Sequence, residues 1–379
     1  MEVYSLKKVF IITGGAFYDF QTKEYHIGGI QTYIRRLVNV LISSNYSPFI
    51  LNTGDNDQSG VLDNGATYLQ VAAPKGDMKA LVRKAEEEGS IEKDLLLFST
   101  STEIVKSHFK HVLGIQHGIY WDTDVIRGIQ PKNLLLMAIL RGAQMMQQIK
   151  WHRMVGTLVC VDANYVNWMR ATAGNFGLQY VYIPNCADKP TKEKKESIDN
   201  RIRILYARRF VKQRGIDLLM ASLPPVLDKY TNVSLTIAGQ GNGLVQLHST
   251  FDKYGERVEF TQYDAMESVD FHFSYDIAMV PSLYSEGTSL SLLEAMSAEC
   301  ACIATDIGGL SNVIINHHNG VLIRPIVEDL RKAVTYLLDN EEERLYLARN
   351  ARQTIRDSFS SDMWAERWRQ FLGDYYPAD

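Results

Sequence analysis

The sequence predicts an α/β protein of two similar halves, each built on a parallel sheet with helices on both faces. Short apolar segments alternate with helical segments along most of the chain, which is typical of such sheets. The chain has 379 residues, more than one ordinary core accommodates. A polar stretch at 186–200, CADKPTKEKKESIDN, has no apolar period and separates the halves as a linker.

Bulk composition describes a globular protein of the cytoplasm. Hydrophobic residues make up 46% and charged residues 22%, and the net charge of −4 argues against nucleic acid as a partner. The first apolar run, 9–12, is too short for a signal peptide, and no run reaches the roughly 20 residues of a spanning helix. No CxxC pair occurs, so we expect reduced, mostly buried thiols rather than a zinc site. The four cysteines are Cys160, Cys186, Cys300 and Cys302.

In the first half, a strand at 9–13 ends in Gly14-Gly15, and His26-Ile27-Gly28-Gly29 then opens a helix at 30–44. Apolar residues at helical spacing turn one face of this helix inward. Gly28 and Gly29 would let the backbone approach a ligand at the helix start. Further alternating segments are predicted at 48–52, 68–72, 78–88, 94–99, 103–109, 111–116, 133–155, 157–161, 163–169 and 181–184.

The second half repeats this pattern. A helix at 216–230 should kink or restart at Pro224-Pro225. A glycine-rich turn, Gly239 to Gly243, opens another helix, and Gly308-Gly309 leads a further one. Strands are predicted at 202–207, 233–238, 258–261, 278–281, 301–305 and 320–325, and three helical segments finish the chain.

The most informative stretch is 277–304, IAMVPSLYSEGTSLSLLEAMSAECACIA, which predicts strand, loop, helix and strand. Glu286 lies in the loop, and Glu294 lies in a helix at 290–300, on the face that points back toward that loop. A carboxylate fits a vicinal diol, and amides at a helix start bind anions. The stretch therefore suits a sugar joined to a ribose through phosphates. The alternative is a solvated helix with two surface glutamates.

A basic cluster follows the strand at 202–207. Four cations in seven positions repel one another and need an anion, which at a strand end in this fold is best met by phosphate. These cations are Arg208, Arg209, Lys212 and Arg214. A basic surface turn is the alternative, and the phosphate hypothesis is preferred because Arg209 and Arg214 flank a loop facing the expected cleft.

His117 follows the strand at 111–116, and ligands of parallel sheets gather beyond the carboxyl ends of strands. It is therefore a candidate for chemistry, with a backbone-bonded histidine as the equal alternative. Two Asp-x-Asp triplets, Asp55-Asn56-Asp57 and Asp122-Thr123-Asp124, could hold a divalent cation, but loop chemistry explains them better. We predict no metal and no cofactor.

The helix at 133–155 has apolar stretches near Arg141, Lys150 and Arg153. A peripheral contact with a membrane would use such a segment. The preferred interpretation is a helix buried in the first half.

Six motifs taken together resemble the retaining glycosyltransferases of family 4, which have the GT-B fold. They are GGIQTYIRRL, YIPNCAD, LYARRFVKQRGIDLL, LTIAGQGNG, PSLYSEGTSLSLLEAM and ATDIGGLSNVI, and they include the Glu-x7-Glu signature of Glu286 and Glu294. The resemblance implies two Rossmann-like domains facing a central cleft. The implied domains are 1–186 on the acceptor side, 201–358 on the donor side, and a helix at 359–379 that packs back on the first domain.

The resemblance also implies roles for individual residues. Arg209 and Arg214 match the pair that binds the donor diphosphate, and Glu294 matches the carboxylate on the nucleotide ribose. Glu286 matches the carboxylate beside the transferred sugar, and His117 looks like the histidine near the reacting carbon. The loop amides of Gly287, Thr288, Ser289 and Leu290 match those around the sugar and distal phosphate, and Gly28 and Gly29 match a loop against the diphosphate.

Two positions depart from the family pattern. The glycine that usually precedes the first arginine is Arg208, and the glycine after Asn185 is Cys186. The implied activity is metal-independent transfer of a hexose, with retention, from a UDP-sugar or a GDP-sugar. The acceptor would be a saccharide or lipid-linked saccharide, in bacterial surface polysaccharide or lipopolysaccharide synthesis at the inner face of the membrane. A GT-B sugar-nucleotide epimerase and a non-catalytic sugar-nucleotide or glycan-binding protein are the alternatives.

Overall fold

The structure is a computed structural model that describes residues 6–26, 28–118, 132–174, 177–191, 201–264, 267–284 and 286–378. The chain forms two compact units. Among the described residues, the first unit contains those up to His117, those from 132 to Pro184, and those from Trp364 onward. The second contains Gly118 and residues Asn185–Met363. The sequence-based prediction placed the boundary between the two domains at 186–201 and the start of the final helix at residue 359.

Among the residues that the structure describes, the first unit contains ten strands and four α-helices, and α12 near the end of the sequence adds a fifth helix. The strands are β1 Lys8–Ile12, β2 Tyr18–Asp19, β3 Glu24–Tyr25, β4 Ser47–Gly54, β5 Gln58–Val61, β6 Thr67–Ala72, β7 Leu95–Phe98, β8 His111–Gln116, β9 Thr157–Cys160 and β10 Gln179–Tyr182. The helices are α1 Gly29–Ser43, α2 Met78–Glu88, α3 Leu134–Val155 and α4 Ala163–Ala173.

The main sheet of this unit has the order β10-β9-β8-β7-β1-β4-β6-β5. Every pair is parallel except that of β5 with β6, and β2 and β3 form a separate antiparallel hairpin. Strand order reverses between β1 and β7, and the segments that follow these two strands diverge to opposite sides. In open α/β sheets, this switch point is where ligands bind.

The second unit is one parallel sheet between layers of helices. Its strands are β11 Ile202–Ala207, β12 Val233–Ala238, β13 Val258–Thr261, β14 Ile277–Val280, β15 Ala301–Thr305 and β16 Val321–Ile323. Its helices are α5 Ile216–Ser222, α6 Pro224–Lys229, α7 Leu244–Phe251, α8 Ser268–His272, α9 Leu290–Ser297, α10 Val327–Asp339 and α11 Glu341–Thr354. The strands are apolar and mostly buried, as expected of a sheet covered on both faces.

The sheet of the second unit has the order β13-β12-β11-β14-β15-β16, with every pair parallel. Its switch point lies between β11 and β14. The helix predicted at 216–230 does restart at its prolines, as α5 and α6. The prediction of two halves built on parallel sheets is therefore confirmed.

The last helix, α12 Ser361–Tyr375, supplies buried aromatic residues to the first unit. The indole of Trp368 donates a hydrogen bond to Tyr33 Oη at 3.1 Å. Beyond the helix, the backbone carbonyl of Tyr376 accepts a bond from Tyr46, and its hydroxyl donates to the Lys93 carbonyl. These bonds connect α12 and the residue that follows it to α1, to the residue before β4 and to the segment before β7.

Three local predictions differ from the structure. Only a short 3₁₀ turn, Ser101–Glu103, occupies the start of the predicted segment at 103–109, and the rest is irregular. The helix expected after Gly308-Gly309 is likewise a 3₁₀ turn, Gly308–Leu310. Helix α9 ends at Ser297 rather than at residue 300. For α9, the left-handed backbone of Glu299, with φ +59°, explains the earlier end.

Helix α3 is not buried in the first unit along its whole length, so the preferred interpretation of this segment was wrong. Leu134, Leu135 and Ile139 are 76%, 72% and 59% exposed. The buried residues of α3, such as Ile149 and Val155, lie in its C-terminal half. In its first two turns, α3 has apolar residues on every side. Without a polar face there, the periodicity of the sequence could not show which side of the helix packs against the first unit. Within the described ranges, no helix has both the length and the apolarity to span a bilayer.

The buried imidazole of His152 makes stability depend on pH. Its ring lies between the hydroxyls of Tyr165, at 3.0 Å, and Tyr180, at 3.4 Å. Burial lowers the pKa of His152 to about 4, whereas an unfolded histidine has a pKa of about 6.5. Between these values the unfolded chain binds one proton more than the folded chain, so the free energy of unfolding falls as pH falls from 6.5 toward 4.

We therefore expect His152→Gln to flatten this decline. The substitution removes one titrating group, worth up to about 3 kcal/mol between the two pKa values. The measurement is the free energy of unfolding by urea at intervals from pH 7 to pH 4, in the wild type and the variant. Parallel curves for the two proteins would contradict the assignment.

Candidate active site

Polar residues of the second unit converge at its switch point. Arg208 directly follows β11, and Glu286 lies in the loop between β14 and α9. Since β11 and β14 are neighbouring parallel strands, their carboxyl ends lie at the same edge of the sheet. The sequence thus folds two oppositely charged side chains onto the edge at which open α/β sheets bind ligands.

The centre of this site is the carboxylate of Glu286, which accepts four hydrogen bonds. Arg208 Nη2 donates to both oxygens, at 2.9 and 2.8 Å. Arg214 Nη1 donates to Oε2, and Ser282 Oγ donates to Oε1 at 2.6 Å. A carboxylate offers about four acceptor positions, so none is left open. The sequence predicts that Glu286 accepts hydrogen bonds from the hydroxyls of a sugar. In this structure two arginines and a serine donate to it instead.

The cluster is largely removed from water. The exposed fractions of the side chains are 4% for Arg208, 10% for Glu286 and 23% for Arg214. Burial alone would raise the pKa of Glu286, but attraction to Arg208 and Arg214, with bonds from Ser282 and Arg208, outweighs it and lowers this pKa. The carboxylate is therefore ionised at neutral pH, and it balances one of two positive charges.

Close backbone packing fixes Arg214 in the cluster. Gly215 has φ +81°, and a Cβ atom there would lie 1.9 Å from the Pro281 carbonyl oxygen. The hydroxyl of Tyr206 donates to the Arg214 carbonyl at 2.9 Å, and Leu283 N donates to the Gln213 carbonyl at 3.1 Å. Only glycine permits the segment before α5 to contact the segment after β14 so closely.

The loop that carries Glu286 is held from two sides. Gly309 N donates to the Glu286 carbonyl at 2.8 Å, and Asn185 Nδ2 donates to the Thr288 carbonyl at 2.6 Å. A Cβ atom on Gly309 would lie 2.6 Å from the Gly287 carbonyl. The loop leads through Ser289, which makes no side-chain cap, into Leu290 and α9. The first amides of α9 have no acceptor within the helix, as at any helix start.

Glu294 lies one turn into α9 and is half-buried. Its carboxylate accepts no hydrogen bond from any residue that the structure describes, in contrast with Glu286. Its charge reaches Tyr263, where burial first and Glu294 second raise the pKa of the hydroxyl. Glu294 is therefore the carboxylate of the predicted pair that remains open to a ligand.

The structure brings together only one of the two predicted arginines with Glu286. Arg214 lies in the cluster, whereas the side chain of Arg209 is exposed and Arg208 occupies the buried position beside the carboxylate. Sequence reasoning had treated Arg208 as a departure from the family pattern. The available signal was its position: it is the first residue after β11, where side chains still follow the alternation of the strand.

The remaining candidates lie in the first unit. Gly28 is the residue before α1, and Gly29 begins the helix. His117 follows β8 and packs edge-on against Tyr33, with ring centroids 4.7 Å apart. Tyr33 in turn packs against Trp364 at 5.1 Å. Burial lowers the pKa of His117 to about 4 despite a bond with the Ser99 backbone, so the ring is neutral at pH 7.

The free nitrogen of His117 distinguishes it from a histidine with a structural role alone. Its Nε2 atom is buried and has no hydrogen-bond partner among the residues described. Because the ring is neutral and its other nitrogen is engaged with Ser99, Nε2 is an unused acceptor. The structure thus shows the backbone bond of the alternative interpretation, and it also leaves Nε2 as an acceptor at the carboxyl end of β8.

Sequence reasoning missed Glu103, which organises the switch point of the first unit. Its Oε1 accepts from Gly14 N at 3.0 Å, and Oε2 accepts from Ser99 Oγ at 3.1 Å. Burial raises the pKa of this carboxyl, although the bonds from Ser99 and Gly14 oppose it. Glu103 was predicted only as the start of a segment at 103–109, and no motif surrounds it, so only the fold reveals its contact with the turn after β1.

The Asp-x-Asp triplets add no metal ligands to the described residues. Asp57 accepts a bond from Ala72 N at 2.8 Å, and Asn56 accepts from Gln70, so this triplet shapes the β5 hairpin. The triplet Asp122-Thr123-Asp124 lies outside the described ranges. Within those ranges, no three His, Cys, Asp or Glu side chains group around a common metal position. Metal independence stays a prediction. All four cysteines are free and buried.

Part of the second unit matches a known protein family. Residues 188–354 match the family model "Glycosyl transferases group 1". This segment contains the Arg208–Glu286–Arg214 cluster and Glu294. An uncharacterised glycosyltransferase of Methanocaldococcus jannaschii is 28% identical over 170 residues, which are 43% of this chain and 43% of that protein. The alignment thus spans less than half of this relative.

Two solved structures resemble nearly the whole chain. Sucrose-phosphate synthase from Thermosynechococcus elongatus aligns with TM-score 0.77 and 16% identity, over 97% of this chain and 98% of that one. An Anabaena protein in complex with UDP-glucose aligns with TM-score 0.71 and 14% identity, over 97% and 99%. At these identities the likeness shows the fold alone. The predicted GT-B fold class is confirmed.

The contact of Gly309 with the Glu286 loop gives a testable consequence. Gly309→Ala would force the carbonyl of Gly287 to move by several tenths of an ångström, and overpacking of this kind costs about 1–3 kcal/mol. We expect a lower unfolding temperature for Gly309→Ala by differential scanning calorimetry. Gly373→Ala is the matched control, because Gly373 is exposed in α12 with no atom within 4 Å of an added Cβ. An unchanged transition for Gly309→Ala would show that the loop is not packed as described.

Proposed function

We propose that this protein is a retaining glycosyltransferase that moves a hexose from a nucleoside-diphosphate sugar to a saccharide or lipid-linked saccharide. The observation that carries the proposal is the buried arginine–glutamate cluster at the switch point of the second unit, with the open carboxylate of Glu294 in the adjoining helix. The match of residues 188–354 to a glycosyltransferase family supports it. A UDP-sugar is the preferred donor, since a structural neighbour binds UDP-glucose, and a GDP-sugar is the second candidate.

The donor's parts correspond to different groups of the site. Glu294 would accept hydrogen bonds from the two ribose hydroxyls, which suit a carboxylate. Arg214 and the exposed Arg209 would pair with the diphosphate, and the loop amides of Gly287, Thr288 and Ser289 at the start of α9 would hold the sugar and distal phosphate. The family resemblance assigns further contacts with the donor to His117, Gly28 and Gly29 of the first unit, and these assignments stay predictions.

The chemistry requires the bond between the anomeric carbon and the phosphate oxygen to break. Negative charge then develops on the diphosphate, while the sugar becomes oxocarbenium-like. Guanidinium groups and helix amides that are already in place stabilise this leaving charge without reorganising. The acceptor hydroxyl forms the new bond on the same face of the sugar, and its proton passes to the departing phosphate. We assign this stabilisation to arginines and amides, with no metal ion.

The central test replaces the open carboxylate. We expect Glu294→Gln to lower kcat/KM for the donor by roughly a hundredfold, because one hydrogen bond from the ribose is lost and the other no longer reaches a charged group. Nucleotide sugars are first ranked by thermal stabilisation of the wild type, and transfer is then assayed with the best donor and a panel of saccharide acceptors. Glu256→Gln, an exposed carboxylate on the second unit, is the matched control.

The outcomes of this assay separate the alternatives. Consumption of the donor into an isomeric sugar without any acceptor would indicate the epimerase. Donor binding with no turnover across the acceptors would indicate a binding protein. Full activity in the presence of a chelator is expected, and a loss that manganese restores would contradict metal independence. Normal turnover by Glu294→Gln would remove this residue from the site.

The exposed end of α3 supports a contact with the inner face of a membrane. Its first seven residues, LLLMAIL, are apolar on every side of the helix, so a groove on another protein would cover only part of them. The helix contains no acidic residue and carries Arg141, Lys150 and Arg153, which complement anionic lipid headgroups. A lipid-linked acceptor would be reached at such a surface, as in synthesis of surface polysaccharide or lipopolysaccharide.

We expect the wild type to float with vesicles that contain phosphatidylglycerol and much less with pure phosphatidylcholine. Leu134→Gln/Leu135→Gln should lower the bound fraction several-fold, because it removes the two most exposed apolar side chains of α3. The matched control is Val61→Gln/Val245→Gln, whose targets are 75% and 76% exposed elsewhere. Equal flotation of both double variants would contradict a membrane role for α3.

A further inference from the structure

Arg208 has an unused donor group in a buried position. Its residue is 8% exposed, and Nη2 makes both of its bonds to Glu286. Nη1 is buried and has no hydrogen-bond partner among the described residues. A buried donor without a partner is strongly unfavourable, more so when it is charged, and few native groups are left in this state. The position of Nη1 therefore indicates an acceptor supplied by a ligand.

The charges at this position specify the kind of acceptor. Two guanidinium groups, those of Arg208 and Arg214, share the single carboxylate of Glu286. That carboxylate already accepts four bonds, so it cannot also accept from Nη1. The cluster therefore holds one more guanidinium group than carboxylates. An anionic oxygen is the group that satisfies both the free donor and the remaining charge.

We propose that Arg208 is a further donor-binding residue, in which Nη1 donates to an oxygen of the diphosphate while Nη2 stays on Glu286. This inference rests on the proposed function, because the diphosphate is the anion of a nucleoside-diphosphate sugar. It assigns Arg208 to a position that the family resemblance treats only as a substituted glycine. It also makes Glu286 a positioning residue, which holds two guanidinium groups rather than a sugar hydroxyl.

The shape of the arginine side chain explains why this position needs arginine. The planar fork presents two amino groups in a fixed geometry, so one can remain on Glu286 while the other reaches a second oxygen. A lysine has one nitrogen on a flexible stem and cannot reproduce both contacts. The carboxylate and the diphosphate would thus lie at two edges of the same guanidinium group, in its plane.

The test measures binding of diphosphate separately from binding of nucleoside. Isothermal titration is performed with inorganic pyrophosphate, with UDP, GDP and ADP, and with the corresponding nucleosides. We expect R208M to weaken binding of pyrophosphate and of the preferred nucleoside diphosphate roughly tenfold to a hundredfold, the range for one hydrogen bond to a charged group. The nucleoside affinity should not change, and R208K should recover only part of the loss.

Matched variants control for folding. R208M alone leaves the buried charge of Glu286 with one partner fewer, so R208M/E286Q is included, because removing both members of a buried pair disturbs the fold less than removing one. K253M, an exposed cation of the second unit, is the control for nonspecific loss of positive charge. For Glu286, E286Q should weaken binding of pyrophosphate more than binding of the nucleoside, whereas a purely structural role would weaken both to the same extent.

Each outcome has one meaning. Pyrophosphate affinity of R208M and of the double variant within twofold of the wild type would overturn the role of Arg208 and leave the proposed function intact. An equal loss of nucleoside affinity in the folded double variant would also overturn it. A third outcome is a wild type that binds pyrophosphate but no nucleotide, with the pyrophosphate binding lost in R208M. This result would support the anion contact of Arg208 and contradict the proposed function. A wild type that binds none of these probes would contradict both.

Discussion

The ion pair between Glu286 and the two arginines is the interaction on which the second unit's site depends. It joins three separate segments: the residue after β11, the turn before α5 and the loop before α9. Charged groups this deeply buried are stable only when they are paired and hydrogen-bonded. A shift of any one segment would leave a charge unpaired in a dry environment. The backbone contacts of Gly215 and Gly309 act on the same segments and keep them in place.

The topology explains why the polar residues gather where they do. In both units the strand order reverses beside the first strand, and the segments that leave the two central strands diverge. The resulting crevice at the sheet edge leaves backbone amides and short polar side chains without partners from the sheet itself. In the second unit, charged side chains occupy this edge. In the first unit, Glu103, Ser99 and the Gly14 turn satisfy one another, and His117 keeps a free acceptor.

Much of the fold could be predicted from the sequence because the central strands are continuous apolar runs between loops. The bounds of β8, β11, β12 and β15 agree with the predicted segments for this reason. The hairpin of β2 and β3 and the edge strand β5 have two to four residues each and carry no such run. Helix α3 shows what periodicity cannot predict. Its first turns are apolar on every side, and this pattern does not indicate whether they are buried in the protein or exposed.

The site was predictable at the level of segments and less so at the level of side chains. The segments around Glu286 and Arg214 were identified from spacing and residue type, and Glu294 has the open carboxylate expected of it. The choice between Arg208 and Arg209 could not be made from residue type, because adjacent residues after a strand point to opposite sides. Only the register of the chain at the end of β11 decides which one is buried. Tyr33 and Glu103 are ordinary in sequence, and their contacts arise from distant parts of the first unit.

The return of α12 to the first unit has a consequence for biosynthesis. Trp364, Trp368, Phe371, Leu372 and Tyr376 are buried there, more than three hundred residues after Tyr33. Domains of most chains complete their folding in the order in which the ribosome makes them. Here the second unit has all of its residues available while the first still lacks part of its core. The first unit therefore exposes apolar surface during synthesis and cannot complete its core until α12 has left the ribosomal exit tunnel.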